Sequence, residues 1–335
     1  ARSLYLSLWI LPRRLQEPMS LAYLLARAAD TITDTNLVPT EERMKWLSFL
    51  QRHLQNQQSD PEGWRAFSES LVGPQEIPEE RALLLELSRL VGLLWQLPEA
   101  DRSDIQWVLG ELIQGMQEDL RRFGDKSHRD EFQVISLATW ADLDRYCHYA
   151  AGVVGPFWTR MIFRHVPRLC TLLNQAQMEQ WGESFGKGLQ LINVLKDVSH
   201  DLRNGRCYLP QEGLDQFHLK VEDLLEPKNI TRVQPLLQQV IQKSLTYLES
   251  GENYLEALPR RYPLLRLSVI WPLWIGLATL EMLQMDTRLL DANCPHKISR
   301  RQLRRLLAVS LCIGCSNTSV ARHFGKAQTS FRKKY

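Results

Sequence analysis

Cysteine, charge of one sign and long apolar runs are all scarce in this chain of 335 residues, and each scarcity excludes a class of protein. Six cysteines, scattered at 147, 170, 207, 294, 312 and 315, do not make a disulfide scaffold and suit reduced thiols in a cytosolic compartment. Cys312-x-x-Cys315 has no second pair and no histidine at zinc-finger spacing, which argues against a metal site there. Lys plus Arg total 41 against 38 Asp plus Glu, a net charge of +3, without the concentrated basic charge of a nucleic-acid binder. Disorder is excluded by a composition that is 44% hydrophobic and only 24% charged. The longest apolar stretch, Leu267 to Leu280, has 14 residues between Arg266 and Glu281. A bilayer needs a helix of about 20 residues, so a buried helix or the wall of an apolar cavity is expected instead. No signal-peptide pattern opens the sequence, and its ends leave room for a tail or anchor outside it. Nucleotide-binding glycine motifs are missing as well. Gly186-Lys-Gly188 lacks a third glycine and a preceding strand, and Gly182-x-x-x-Gly186-Lys187 is one residue short of a P-loop. Both read as packing glycines on a helix.

What is present is helical periodicity. It predicts helices over 20–34, 41–57, 79–96, 102–123, 140–163, 175–202, 234–258, 264–285 and 300–324, with prolines, glycines and the Asn204-Gly205 pair as breaks. No low-complexity linker and no internal repeat appears, so the expectation is a single all-α domain over residues 1–335, built of antiparallel helices.

Two segments carry chemistry. The first is Tyr23-Leu-Leu-Ala-Arg27-Ala-Ala-Asp30-Thr-Ile-Thr-Asp34, the second Gln190-Leu-Ile-Asn193-Val-Leu-Lys196-Asp197-Val-Ser-His200-Asp201. Each sets two aspartates four apart, on one helical face with a rise of about 6 Å between them. Like charges at that spacing destabilise a helix by a few tenths of a kcal/mol, so something should compensate. Acidic pairs on helices are commonly just solvated, but the second pair sits in the apolar context LQLINVL, where a solvated face would be odd. Two rows converging across a cavity would form a hard-oxygen site for Mg²⁺ and, with Arg27 and Arg206, for a diphosphate. His148 reads as a hydrogen-bonded helix residue rather than a general base, and Asp142 and Asp144 as a solvated helix end.

These two motifs, with Asp144-Arg-Tyr146-Cys-His-Tyr-Ala-Ala-Gly-Val-Val-Gly155 and Asn204-Gly-Arg206-Cys-Tyr-Leu-Pro210, resemble the squalene/phytoene synthase family over nearly the whole chain. Within it, YCHYAAGVVG is most similar to the squalene synthases. His200 stands where the family commonly has an acidic residue, and Lys196 where arginine is frequent. The resemblance implies an all-α isoprenoid (terpenoid) synthase fold with helices around a central apolar cavity, in which two farnesyl diphosphates join head to head. It implies catalytic and Mg²⁺-binding roles for Asp30, Asp34, Asp197 and Asp201, with Asn193 among the metal's neighbours. It places Arg2, Ser3, Tyr23, Arg27, Gln190, Asn193 and Arg206 around the diphosphates, and Tyr146 near the reacting carbons.

A reactive allylic cation demands a dry apolar wall, for which Ala150, Val154, Leu191, Pro272 and Trp274 are candidates; each taken alone is better explained as ordinary core. Reduction of the cyclopropyl intermediate would use NADPH, with Lys297, Arg300 and Arg301 as candidate phosphate contacts. A solvated helix start, or a membrane-facing patch with Arg304 and Arg305, explains the same charges. The expected activity is thus that of a Mg²⁺- and NADPH-dependent prenyltransferase, cytoplasmic with possible peripheral membrane contact. The alternatives are relatives that stop before reduction, yielding dehydrosqualene, presqualene diphosphate or phytoene, and a non-catalytic binding protein that has kept the fold.

Overall fold

Apolar residues at three- and four-residue spacing fix the helices, and the computed structural model describes residues 7–35, 37–124, 133–294, 296–313 and 325. Arg2, Ser3, Cys315 and the side chain of Cys312 lie outside the described residues. Contacts divide the chain into two compact units, one formed by Arg13–His128 with Arg160–Val166 and the other by the remainder.

The first unit contains α1 (Arg13–Asp34), α2 (Thr40–Gln55), α3 (Pro61–Phe67), α4 (Pro78–Leu85), α5 (Leu87–Gln96) and α6 (Glu99–Phe123). Leu15, Met19, Ala22, Leu25, Ala29 and Ile32 form the buried stripe of α1, which packs on α2, α5 and α6. The helix expected from residue 20 instead starts at Arg13 and runs through Pro18, whose ring is buried. Pro61, expected only as a break, opens α3. It follows the N-cap Asp60, whose carboxylate accepts from Gly63 N–H at 2.9 Å. The single helix expected over 79–96 is two, interrupted at Glu86, whose carboxylate accepts from Arg89 at 3.0 Å.

The second unit contains β1 (Ile135–Leu137), α7 (Trp140–Cys147), the start of α8 (Val154–His165, whose residues from Arg160 belong to the first unit), α9 (Gln175–Arg203), β2 (Arg206–Pro210), α10 (Gln211–Gln216), α11 (Ile230–Ala257), α12 (Pro263–Met285) and α13 (Arg300–Ile313). The helix expected over 140–163 widens into a π-turn at His148–Gly152 between α7 and α8. Against this segment α9 packs closely. A Cβ on Gly155 would lie 2.0 Å from the Gly182 carbonyl carbon, and one on Gly186 would lie 2.4 Å from the Ala151 oxygen. The expected packing role of these glycines is what the structure shows.

Long α9 lies along α11, and α12 packs on both of them and on α13. The α12 helix is longer than its 14-residue apolar core, with 23 residues, enough by length and composition to cross a membrane. Yet 72% of its apolar window is buried within the protein, as a core helix would be. Arg266 of α12 is fully buried and donates to the Leu255 and Leu258 carbonyls at 2.7 and 2.6 Å, satisfying groups at the C-terminus of α11. Trp271 Nε1–H donates to Ser310 Oγ at 2.8 Å and ties α12 to α13.

Among the described residues the all-helical expectation holds but for one small sheet. β1 and β2 pair in parallel, Ile135 opposite Arg206 and Ser136 opposite Cys207, with the register shifting before Leu137 pairs with Pro210. Strands of three and five residues are too short to show alternation in sequence. Gly205, at φ 69°, reverses the chain between α9 and β2, and its carbonyl accepts from Ile135 N–H at 3.0 Å.

Candidate functional site

In the first unit, Tyr23, Arg27, Asp30 and Asp34 share the face of α1 opposite its buried stripe. Asp34 is exposed and the Asp30 side chain 43% exposed, so both carboxylates of this row are reachable. The compensation that their repulsion demands is Arg27. Its Nη1 pairs with Asp30 Oδ2, and its Nη2 with Glu80 Oε1 of α4 at 3.1 Å. Burial works against the guanidinium's charge, but Asp30, Glu80 and Asp34 outweigh it and hold the group above its ordinary value. Glu80 in turn accepts from Gln75 Nε2 at 3.3 Å. Sequence reasoning missed Glu80, because it reads as one of two ordinary acids in a first helical turn.

In the second unit the α9 row is built in the same way. Lys196 Nζ sits 3.1 Å from Asp197 Oδ2 and donates to Asn193 Oδ1 at 3.0 Å, while His200 Nδ1 lies 4.0 Å from Asp201 Oδ1. Asn193 donates to Gln190 Oε1 at 3.3 Å, and Gln190 Nε2–H donates to the Tyr146 hydroxyl at 3.1 Å. Tyr146 stacks on Tyr208 of β2, with ring centroids 4.2 Å apart. The structure therefore joins Gln190, Asn193, Lys196, Asp197 and Tyr146 into one hydrogen-bonded row. The Gly205 turn and β2 bring Tyr208, which sequence reasoning missed, onto Tyr146. Arg206 is half-buried at the start of β2.

The same face of α9 continues toward its N-terminus as an ion cluster. Lys187 Nζ lies 3.0 Å from both Asp144 Oδ2 and Glu183 Oε1; the Tyr247 hydroxyl donates to Asp144; Lys243 Nζ lies 3.9 Å from Asp144 Oδ1. His148 Nδ1 meets Glu183 Oε1 at 2.9 Å, the hydrogen-bonded role expected for it. Asp144 is thus not a solvated helix end. Burial raises its carboxyl, but hydrogen bonds from Tyr247 and Lys187 prevail and hold it below the usual range. Asp142 does serve as a helix start, in a capping box with Thr139.

The wall candidates divide. Leu191 (0% exposed) and Trp274 (1%) are sealed in the core; Val154 and Pro272 are half-buried, and Ala150 is exposed. Lys297, Arg300 and Arg301 are exposed around the start of α13, which Ser299 and Gln302 cap reciprocally at 2.9–3.1 Å. Between α12 and α13, ligand-type atoms of Asp286, Cys294 and His296 gather within 4.8 Å. Both Asp286 oxygens already accept there, from Arg288 N–H and His296 Nδ1, each at 2.9 Å, so Asp286 and His296 pin the connection.

Within each row, reachable carboxylates beside a cation suit a hard divalent ion bridging to phosphate oxygens, and the α9 row adds an amide oxygen. A family described as squalene/phytoene synthase matches residues 1–306. A bifunctional lycopene cyclase/phytoene synthase of Phaeosphaeria nodorum is 27% identical over 260 residues, 77% of this chain and 40% of that protein. A squalene synthase of Schizosaccharomyces pombe is 26% identical over 248 residues, 74% of this chain and 50% of that protein. The chain thus spans about half the length or less of these relatives. The solved structure of TcSQS with a bound ligand superposes with a TM-score of 0.78 at 19% identity, covering 100% of this chain and 89% of that one. A ligand-bound dehydrosqualene synthase superposes with a TM-score of 0.65, also at 19% identity, over 96% of this chain and 93% of that one. The fold is the all-helical isoprenoid synthase fold expected from sequence.

Proposed function

Because the chain belongs to the squalene/phytoene synthase family, we propose that it joins two farnesyl diphosphates head to head into presqualene diphosphate and reduces that intermediate to squalene with NADPH. The observation that carries this reading is the pair of Asp-x-x-x-Asp rows on α1 and α9, each braced by its own cation, Arg27 in one and Lys196 in the other. Asp30 and Asp34 of α1, and Asp197, Asp201 and the Asn193 amide oxygen of α9, would hold Mg²⁺, which would supply positive charge to stabilise a departing diphosphate. The chain's own groups do the rest. Arg27 and Arg206 contact phosphate oxygens, with Tyr23 a turn away, and Arg2 and Ser3 belong to the same proposed contact set. Tyr146, fixed by the Gln190 hydrogen bond and by stacking on the Tyr208 ring, is the group assigned to the reacting carbons. Accepting from Gln190 polarises its O–H toward donation, the property needed to steady or move a proton there. Val154 and Pro272 are the better-placed of the wall candidates, since a wall must be reachable by an apolar chain.

A second reading omits the reduction and ends at presqualene diphosphate, dehydrosqualene or phytoene. It is favoured by the relatives, which divide between squalene and phytoene synthases. Incubation of purified protein with farnesyl diphosphate and Mg²⁺, with and without NADPH, separates the two. Squalene formed only with the nicotinamide supports the first; the same product in both tubes removes the reductive step. Lys297→Ala with Arg300→Ala should then raise the KM for NADPH and leave that for farnesyl diphosphate unchanged.

A further inference from the structure

Arg27 is gripped by two carboxylates of different standing. Asp30 lies on the same helix one turn away, with its side chain 43% exposed, and is itself a proposed metal ligand. Glu80 comes from another helix, is less exposed at 25%, and has its own brace. Its Oε2 accepts from Gln75 Nε2 at 3.3 Å, and Gln75 Oε1 accepts from Ile77 N–H at 3.1 Å. Gln75 is itself 6% exposed. A chain of hydrogen bonds thus runs from the backbone before α4, through Gln75 and Glu80, to Arg27 Nη2.

We propose that Glu80 is the positioning residue for Arg27, a fixed pivot that keeps the guanidinium aimed at a diphosphate when Asp30 is given over to the metal. The inference rests on the diphosphate-binding reading of Arg27. An arginine side chain left to the ligand to order would spend binding energy on its own immobilisation, which a pre-set fork avoids. With Nη2 held by Glu80, release of Nη1 from Asp30 presents the other edge of the fork to phosphate. A carboxylate beside an anion site also repels the anion. The sign of the net effect is therefore diagnostic: positioning predicts that loss of Glu80 weakens binding, repulsion alone that it tightens it.

The test is calorimetric titration of the full chain with inorganic pyrophosphate in Mg²⁺ buffer, independent of turnover. Glu80→Ala should weaken binding about tenfold, as loss of an outer-shell partner does. The isosteric Glu80→Gln, which keeps an oxygen acceptor, should weaken it only about threefold. Gln75→Leu should move affinity in the same direction, and Arg27→Ala should cost the most. Unchanged or tighter binding by Glu80→Gln, with Arg27→Ala weakened, overturns the positioning role alone. No pyrophosphate binding by the unaltered chain, or equal binding by Arg27→Ala, overturns the diphosphate reading and this inference with it.

Discussion

Asp30 and Asp197 each answer a like-charge neighbour with a cation of the same helix, Arg27 and Lys196. If the pairs exist to hold metal and diphosphate, Asp30→Asn or Asp197→Asn should lower turnover of farnesyl diphosphate at least about a hundredfold, the scale of losing an electrostatic group in the transition state. Helical circular dichroism should remain intact; full activity in both variants would end the metal chemistry. A different acid reports through pH. Burial, aided by Glu256 and Glu249, pushes the Glu252 carboxyl up to about 7 from its ordinary 4.5. The folded state therefore holds a proton that the unfolded chain releases, and stability falls as pH rises from about 4.5 to about 7. Glu252→Gln should stabilise the protein by about 1–2 kcal/mol at pH 8 after allowance for solvent screening, and by nothing at pH 4, in paired urea denaturations. Equal effects at both pH values would count against a raised carboxyl.

Elements in this protein meet as closely as their smallest residues allow. Gly155 and Gly182 put α8 and α9 in backbone contact, and no side-chain rotation relieves a methyl group placed between them. Gly155→Ala should cost about 1–3 kcal/mol in chemical denaturation. It should also reduce turnover, since a displaced α9 shifts Gln190 from Tyr146. Wild-type stability in that variant would show that the segments are not pressed together. The π-turn at His148–Gly152 belongs to the same argument, because it sets the phase of the helix just after Tyr146.

For the molecule as a whole, the water-insoluble product of the proposed reaction would favour a protein that works beside a bilayer. The start of α13 exposes Arg300, Arg301, Arg304 and Arg305, and farther along Leu311 is 63% exposed. We propose a cytoplasmic protein in peripheral membrane contact. Flotation with anionic vesicles should carry it upward at low salt and less so at high salt; recovery wholly in the soluble fraction would oppose this. How much of all this was legible follows from the range of each interaction. Most of the helices, and the two aspartate rows with cations close by on the same helix, follow from local sequence alone, whereas short α3, the break at Glu86 and the π-turn do not. Gly205 and the packing glycines were likewise marked by residue type. Glu80 reaches Arg27 across 53 positions, Tyr247 reaches Asp144 across 103, and the sheet pairs Ile135 with Arg206. Nothing local in the chain encodes such partners. Only tertiary packing turned Asp144 from an expected solvated acid into the centre of an ion cluster, and set Tyr208 against Tyr146, because burial and charge pairing act on distance in space rather than along the sequence.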